Sequence, residues 1–271
     1  MKTFTVNLNE LYNLKGGALT AYITESTSDQ PSPDFKRPAV IIVPGGAYWM
    51  VSKREAEPVG NYFIYAGFQV FILNYLCAPD GVKYPEQLHE LAAALDYVKK
   101  NADALAVEKN KVFAVGFSAG GHLVANLSVN YLKAQKDMGI VDCKPTATGL
   151  CYPVISPEYK HTASFDNLLK GYNDDEKKLL IPEVSLDKMV TANTSPAFLW
   201  TTAEDDGVPP INALRYAEAL SNCGVPFELH VYPHGWHGLS NCDEEVNPSK
   251  PAFLKKNSQW ISDCANFFKE F

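Results

Sequence analysis

Ser118 lies in the pentapeptide Gly116-Phe117-Ser118-Ala119-Gly120, so a hydroxyl able to attack a carbonyl is bracketed by glycines. A serine hydroxyl is a weak nucleophile. It needs a base within hydrogen-bond reach, and the base needs an acid to orient it. The chain has six histidines. His89 precedes the serine in a helical pattern, and His122 follows it by one helical turn, which fits packing or hydrogen bonding. His161 falls in a polar stretch and His230 in the middle of a strand. Two remain in Pro233-His234-Gly235-Trp236-His237-Gly238, directly after the last strand. His237 is far enough into that loop to swing over Ser118 and is the favoured base; His234 is its competitor. For the acid, Glu204, Asp205 and Asp206 follow an apolar run. Asp205 is favoured because its short side chain stands just before the turn into Val208-Pro209. A nucleophile, a base and an acid of these types would perform acyl transfer through a covalent intermediate.

These groups need a scaffold. Val112-Phe113-Ala114-Val115 reads as a buried strand, and Leu123, Val124, Leu127 and Leu132 recur at helical spacing. Strand, G-x-S-x-G, helix is the setting of a nucleophile elbow, in which a strained turn points the serine hydroxyl away from the sheet. The developing oxyanion needs backbone N–H donors. One is the amide of Ala119; the others are expected from Gly45-Gly46-Ala47, which follows the strand Ala39–Val43 and whose small residues let backbone lie against a substrate. No G-x-x-x-x-G-K-[ST] phosphate loop occurs.

The remaining pattern predicts strands at Thr3–Leu8, Ala18–Thr24, Phe68–Asn74, Thr146–Tyr152, Ala197–Thr202 and Phe227–Tyr232. It predicts helices at Ala56–Ala66, from Pro85 onward, from Pro209-Pro210 to Gly224, and at Phe253–Phe268. Ser26–Pro38 reads as a loop. Strands alternating with helices predict an α/β fold: a mostly parallel sheet with helices on both faces. Ser156–Ser195 is polar, with Asn173-Asp174-Asp175-Glu176-Lys177-Lys178 at its centre, and reads as a short inserted cap of one or two helices. No linker divides residues 1–271, so a single domain is expected.

Composition narrows the function classes. The chain has 271 residues, 46% hydrophobic and 20% charged, as a globular domain has. A net charge of −7, with scattered Lys and Arg, argues against a nucleic-acid partner. No apolar stretch of membrane-spanning length and no signal-peptide pattern is seen, so no membrane partner is expected. The six cysteines are spread singly, which favours free thiols and a cytoplasmic location. No ligand cluster of metal-site spacing is visible, and neither a metal nor a cofactor is expected.

Val43-Pro44-Gly45-Gly46-Ala47-Tyr48, Tyr84-Pro85, Gly116-Phe117-Ser118-Ala119-Gly120-Gly121-His122, Asp205-x-x-Val208-Pro209 and His237-Gly238 together resemble the α/β-hydrolase superfamily. Within it the chain is similar to small acetyl esterases and acetylxylan and feruloyl esterases, related to hormone-sensitive-lipase-type esterases. The resemblance runs from about Ala39 to the C-terminus. It implies Ser118 as nucleophile, Asp205 as acid and His237 as base, with Gly46, Ala47 and Ala119 lining an oxyanion hole. Pro44 and Ala47 depart from the H-G-G-G form of the hormone-sensitive-lipase branch but keep the backbone donors. The implied activity is that of a serine carboxylesterase on short-chain, acetyl-type esters, with carbohydrate esters as one substrate class. Tyr48 and Trp49, straight after the oxyanion loop, are expected to bind substrate, with core packing as the alternative. Two competing readings are a prolyl-oligopeptidase-like serine peptidase and a non-catalytic ligand receptor on the same fold. The expected partner is a small-molecule ester; self-association is left open.

Overall fold

Alternate residues of one central strand feed two different cores. In Arg37–Val43 (β3), Ala39, Ile41 and Val43 pack on one side of the sheet, and Val40 and Ile42 on the other. Side chains of a strand point alternately up and down, so an unbroken apolar run marks a strand covered on both faces. The computed structural model describes residues 1–25, 34–249 and 251–271. Positions 26–33 of the expected loop lie outside the described residues.

In chain order the other strands are β1 (Lys2–Asn7), β2 (Ala18–Ile23), β4 (Gln69–Asn74), β5 (Val107–Phe117), β6 (Thr148–Cys151), β7 (Ala197–Thr202) and β8 (Phe227–Tyr232). The helices are α1 (Leu8–Tyr12), α2 (Glu57–Tyr65), α3 (Glu86–Lys100), α4 (Ala119–Met138), α5 (Ala163–Leu168), α6 (Asp174–Val184), α7 (Ile211–Asn222), α8 (Leu254–Asn257) and α9 (Gln259–Lys269). The eight strands form one sheet in the order β1-β2-β4-β3-β5-β6-β7-β8. β1, β2 and β4 pair antiparallel, and every pairing from β4 through β8 is parallel.

The order of β3 and β5 positions the site. They are neighbours, with Val43 opposite Gly116. The helix after β3, α2, packs on one face through Val59 and Phe63, and the helix after β5, α4, on the other through Leu123, Val124 and Leu127. The chain therefore leaves the two strands in opposite directions. That opens a crevice at their carboxyl ends, the usual binding place in parallel α/β sheets.

Several elements differ from the sequence expectation. The first strand ends one residue earlier than expected, because the buried Leu8 starts a short helix, Leu8–Tyr12. β5 starts at Val107, because the polar Glu108–Lys111 is extended at the sheet margin. The closing helix is divided between α8 and α9. Leu132, counted with the residues at helical spacing, is exposed. The inserted segment carries α5, α6 and a 3-10 turn at Leu186–Met189. Its acidic centre starts α6: the Asn173 side chain accepts from the amides of Asp175 and Glu176, while Glu176 accepts from the Asn173 amide. That reciprocal pairing is a capping box.

Candidate active site

The turn between β5 and α4 holds Ser118 at φ 51° and ψ −117°, a conformation costly to any residue with a β-carbon. The strain is sustained by tight packing around it. A β-carbon at Gly116 would stand 2.3 Å from the carbonyl oxygen of Gly120, and one at Gly120 would stand 2.1 Å from that of Val43. Glycine at both positions is what lets strand and helix close on each other.

Ser118 Oγ donates to His237 Nε2 at 2.8 Å, and His237 Nδ1 donates to Asp205 Oδ2 at 2.8 Å. The three residues come from the loops after β5, β8 and β7. Asp205 is buried, and its other oxygen accepts from the Val208 amide at 2.8 Å, so the turn ahead of α7 fixes the carboxylate. The competitors are elsewhere. Glu204 accepts from His234 at 2.8 Å and from the Gly235 amide at 3.2 Å, forming a separate, exposed pair. Asp206 is exposed.

The loop after β3 supplies the facing wall. Gly46, Ala47 and Tyr48 all have positive φ, at 126°, 54° and 57°. The resulting turn takes the amides of Trp49 and Met50 onto the carbonyl of Gly46. The amides of Gly46 and Ala47 donate to no other described residue. The amide of Ala119, first in α4, is one of the donors a helix start leaves without an internal partner. Free amides on both sides of the Ser118 hydroxyl are suited to a developing oxyanion.

Tyr48 and Trp49 part company. Tyr48 is 1% exposed and its hydroxyl meets His122, whereas Trp49 is 52% exposed with the Lys170 ammonium 5.1 Å from its ring centroid. The alternation is that of adjacent residues in a turn, and it leaves Trp49 as the ring open to solvent.

Contacts that spacing alone does not reveal complete the site. Asn167 on α5 donates to the Ala47 carbonyl at 2.9 Å, and His161 Nδ1 donates to the Gly207 carbonyl at 2.8 Å. The inserted segment thus ties the oxyanion loop to the acid loop. His161 has its pKa lowered, first by burial. Glu55 and Tyr152 form a buried pair beneath the crevice. Nothing local in Arg54-Glu55-Ala56-Glu57 distinguishes Glu55 from a surface carboxylate; only the fold buries it.

Residues 29–220 match the family model described as BD-FAE. The chain is 32% identical over 221 residues to endo-1,4-beta-xylanase B of Butyrivibrio fibrisolvens, covering 78% of this chain and 34% of that protein. It is 28% identical over 276 residues to an acetylxylan esterase of Xylanibacter ruminicola, covering 99% of this chain and 50% of that one. The carboxylesterase Cest-2923 of Lactobacillus plantarum superposes with a TM-score of 0.87 at 27% identity, over 100% of this chain and 98% of that one. The chain thus spans between about a third and a half of the length of these two curated relatives. The eight-stranded sheet, its crossovers and these likenesses agree: the chain has the α/β-hydrolase fold and belongs to the BD-FAE family, in an esterase-like group of that superfamily.

Proposed function

We propose that the chain is a carboxylic ester hydrolase working through Ser118, His237 and Asp205. The observation that carries this is the run of hydrogen bonds from Ser118 Oγ through His237 to Asp205. His237 Nε2 takes the proton as Ser118 Oγ attacks the ester carbonyl. Asp205 holds the imidazole in the required tautomer and stabilises its cation. The amides of Gly46, Ala47 and Ala119 receive the oxyanion, and His237 returns the proton to the leaving alcohol. Water then repeats the sequence on the acyl-enzyme, releasing the acid and restoring Ser118.

Short acyl groups are the proposed substrates, with acetylated carbohydrate as one class. The acetylxylan esterase name of a relative supports this. So does the inserted segment, in which the Asp174–Ile181 stretch of α6 is mostly charged and exposed rather than a broad apolar lid. The six cysteines are free thiols, in keeping with the proposed cytoplasmic setting. Among the described residues no helix is long and apolar enough to cross a membrane.

The test is kcat/KM on p-nitrophenyl esters from acetyl to decanoyl and on acetylated xylo-oligosaccharides, with fluorophosphonate labelling in parallel. The expected result is labelling at Ser118, lost in Ser118→Ala, and a graded maximum at the shortest acyl chain, because a misfit methylene costs about 1–3 kcal/mol. A maximum at long chains with acetylated sugars untouched would move the protein toward lipases. Labelling without turnover of any ester would favour a peptidase.

A further inference from the structure

Glu55 is a buried carboxylate held by no cation among the described residues, and both its oxygens are used. Oε2 accepts from the Gly45 amide at 2.8 Å, and Oε1 accepts from the Tyr152 hydroxyl at 2.7 Å. The Tyr152 oxygen in turn accepts from the Ser240 amide at 2.9 Å. The Tyr152 ring lies edge-on to the His237 imidazole, centroids 5.1 Å apart and planes at 73°. One carboxylate therefore touches the base of the oxyanion loop and, through a single phenol, both the ring beneath the histidine and the loop that carries it.

The neighbouring residue extends the same link. The Arg54 guanidinium donates to the carbonyls of Gly238 and Val246, at 3.2 and 2.7 Å, and Ser240 Oγ donates to the Arg54 carbonyl at 2.6 Å. Arg54 thus braces the histidine loop and leaves Glu55 without a direct ion pair. A buried charge is expensive unless its hydrogen bonds are complete, and such a site on a structural turn needs a reason. Burial raises the Glu55 pKa, and its bonds to Tyr152 and Gly45 offset only part of the rise.

We propose that Glu55 is a positioning residue for the reaction at Ser118: its carboxylate sets the oxyanion loop and the His237 loop in one frame. The proposal rests on the reading of Ser118, His237 and Asp205 as the catalytic set. Glu55 touches neither substrate nor Ser118 in this role. It acts through Gly45 and Tyr152.

The experiment compares Glu55→Gln, Glu55→Asp and Tyr152→Phe with the parent on p-nitrophenyl acetate. It reads kcat, KM, thermal midpoint, and the fraction labelled by fluorophosphonate. Glutamine cannot accept from both Gly45 and Tyr152, and it removes the charge. Its kcat should fall on the order of 10- to 100-fold, as small misplacements of reacting groups do, with KM changed by less than about threefold. Glu55→Asp can still accept from one of the two partners and should recover part of the loss. Tyr152→Phe breaks the link to Ser240, so kcat should fall with KM little changed.

A folded Glu55→Gln protein with parental kcat overturns the proposal. So does a lowered thermal midpoint with unchanged turnover per labelled site, which is the signature of a merely structural role. If Glu55→Gln does not fold, Tyr152→Phe decides: a lower kcat at constant KM supports the proposal and an unchanged kcat overturns it. A parent protein that Ser118→Ala leaves fully active overturns the catalytic assignment itself, an outcome distinct from any seen only in the Glu55 variants.

Discussion

The hydroxyl of Tyr48 stands 2.8 Å from Nδ1 of His122, whose Nε2 is 3.0 Å from the Val184 carbonyl oxygen. The neutral imidazole satisfies both partners when Nε2–H donates to the carbonyl and Nδ1 accepts from the phenol. The pair joins the oxyanion loop, the helix after the nucleophile and the end of α6, with Phe165 edge-on to the imidazole. Burial lowers the His122 pKa from 6.5 to about 4.

That shift makes stability depend on pH with a definite sign. The unfolded chain binds the proton below about 6.5 and the folded chain resists it until about 4. His122 therefore contributes stability that is complete above 6.5 and is lost as pH falls toward 4. The loss is on the order of 3 kcal/mol, since each pKa unit is about 1.4 kcal/mol. Glu90 acts in the opposite sense. Burial raises its pKa from 4.5 to about 8, so it favours the fold on acidification. The check is urea unfolding at pH 7.5 and pH 4.5 on the parent and His122→Asn. Glu90 cancels in the difference, and the parent should lose more stability on acidification than the variant. Equal losses would show that His122 is not held neutral.

The acid should be specific among three adjacent carboxylates. Asp205→Asn loses the anion that orients His237 and is expected to lower kcat by roughly 10⁴ with the fold intact. Asp206→Asn, at an exposed position, and Glu204→Gln, on the His234 pair, should stay within about threefold. Steady-state kinetics on p-nitrophenyl acetate separates these cases. A Glu204→Gln loss exceeding that of Asp205→Asn would reassign the acid and, with it, the base to His234.

Gly207 should behave as part of the site although it has no side chain. A β-carbon there would meet His237 Cβ at 2.9 Å and Cγ at 3.2 Å. Gly207→Ala therefore forces either the histidine or the acid loop to shift, and displacement of the imidazole is the expected outcome. The expected loss in kcat is on the order of 100-fold, with little change in thermal midpoint. Parental kinetics would mean that the acid loop yields and the histidine does not.

What could be read from the sequence divides along the range of the interactions. The elbow was legible because Gly116, Ser118 and Gly120 act within one turn, and the strand and helix on either side announce themselves by period. Asp205 and His237 were legible because each follows a strand and can be ordered along the chain. Glu55 and His122 were not legible as partners. Their neighbours, Tyr152 and Tyr48, lie 97 and 74 residues away in sequence. The burial that gives those polar groups their character comes from sheet order, which no local window contains. Leu132 misled for a different reason: it stands five residues beyond Leu127, off the face that Leu123, Leu127 and Ala134 bury, and is exposed. For Tyr48 and Trp49 the sequence allows either the cleft or the core, and the positive-φ turn divides them, sending Tyr48 into the core and leaving Trp49 outside.

Trp49 is then the aromatic ring to test for sugar recognition. Its Cα is no more than about 7.6 Å from that of Ala47, since successive Cα atoms are 3.8 Å apart, so the ring stands beside the oxyanion loop. The Lys170 ammonium occupies one position over it, at 5.1 Å, and half the residue remains open to solvent. An exposed indole offers a flat apolar surface to the C–H faces of a pyranose. Such a contact is worth about 0.5–1.5 kcal/mol, by analogy with aromatic pairs, which corresponds to a few-fold to roughly tenfold in affinity. Trp49→Ala should therefore raise KM for acetylated xylo-oligosaccharides by up to about tenfold and leave kcat close to the parent value. On p-nitrophenyl acetate, which has no sugar to stack, the change should be much smaller. The two substrates measured side by side separate recognition from loop support. Equal losses on both, carried by kcat, would mean that Trp49 holds the turn at Gly46 and does not contact the alcohol side of the substrate.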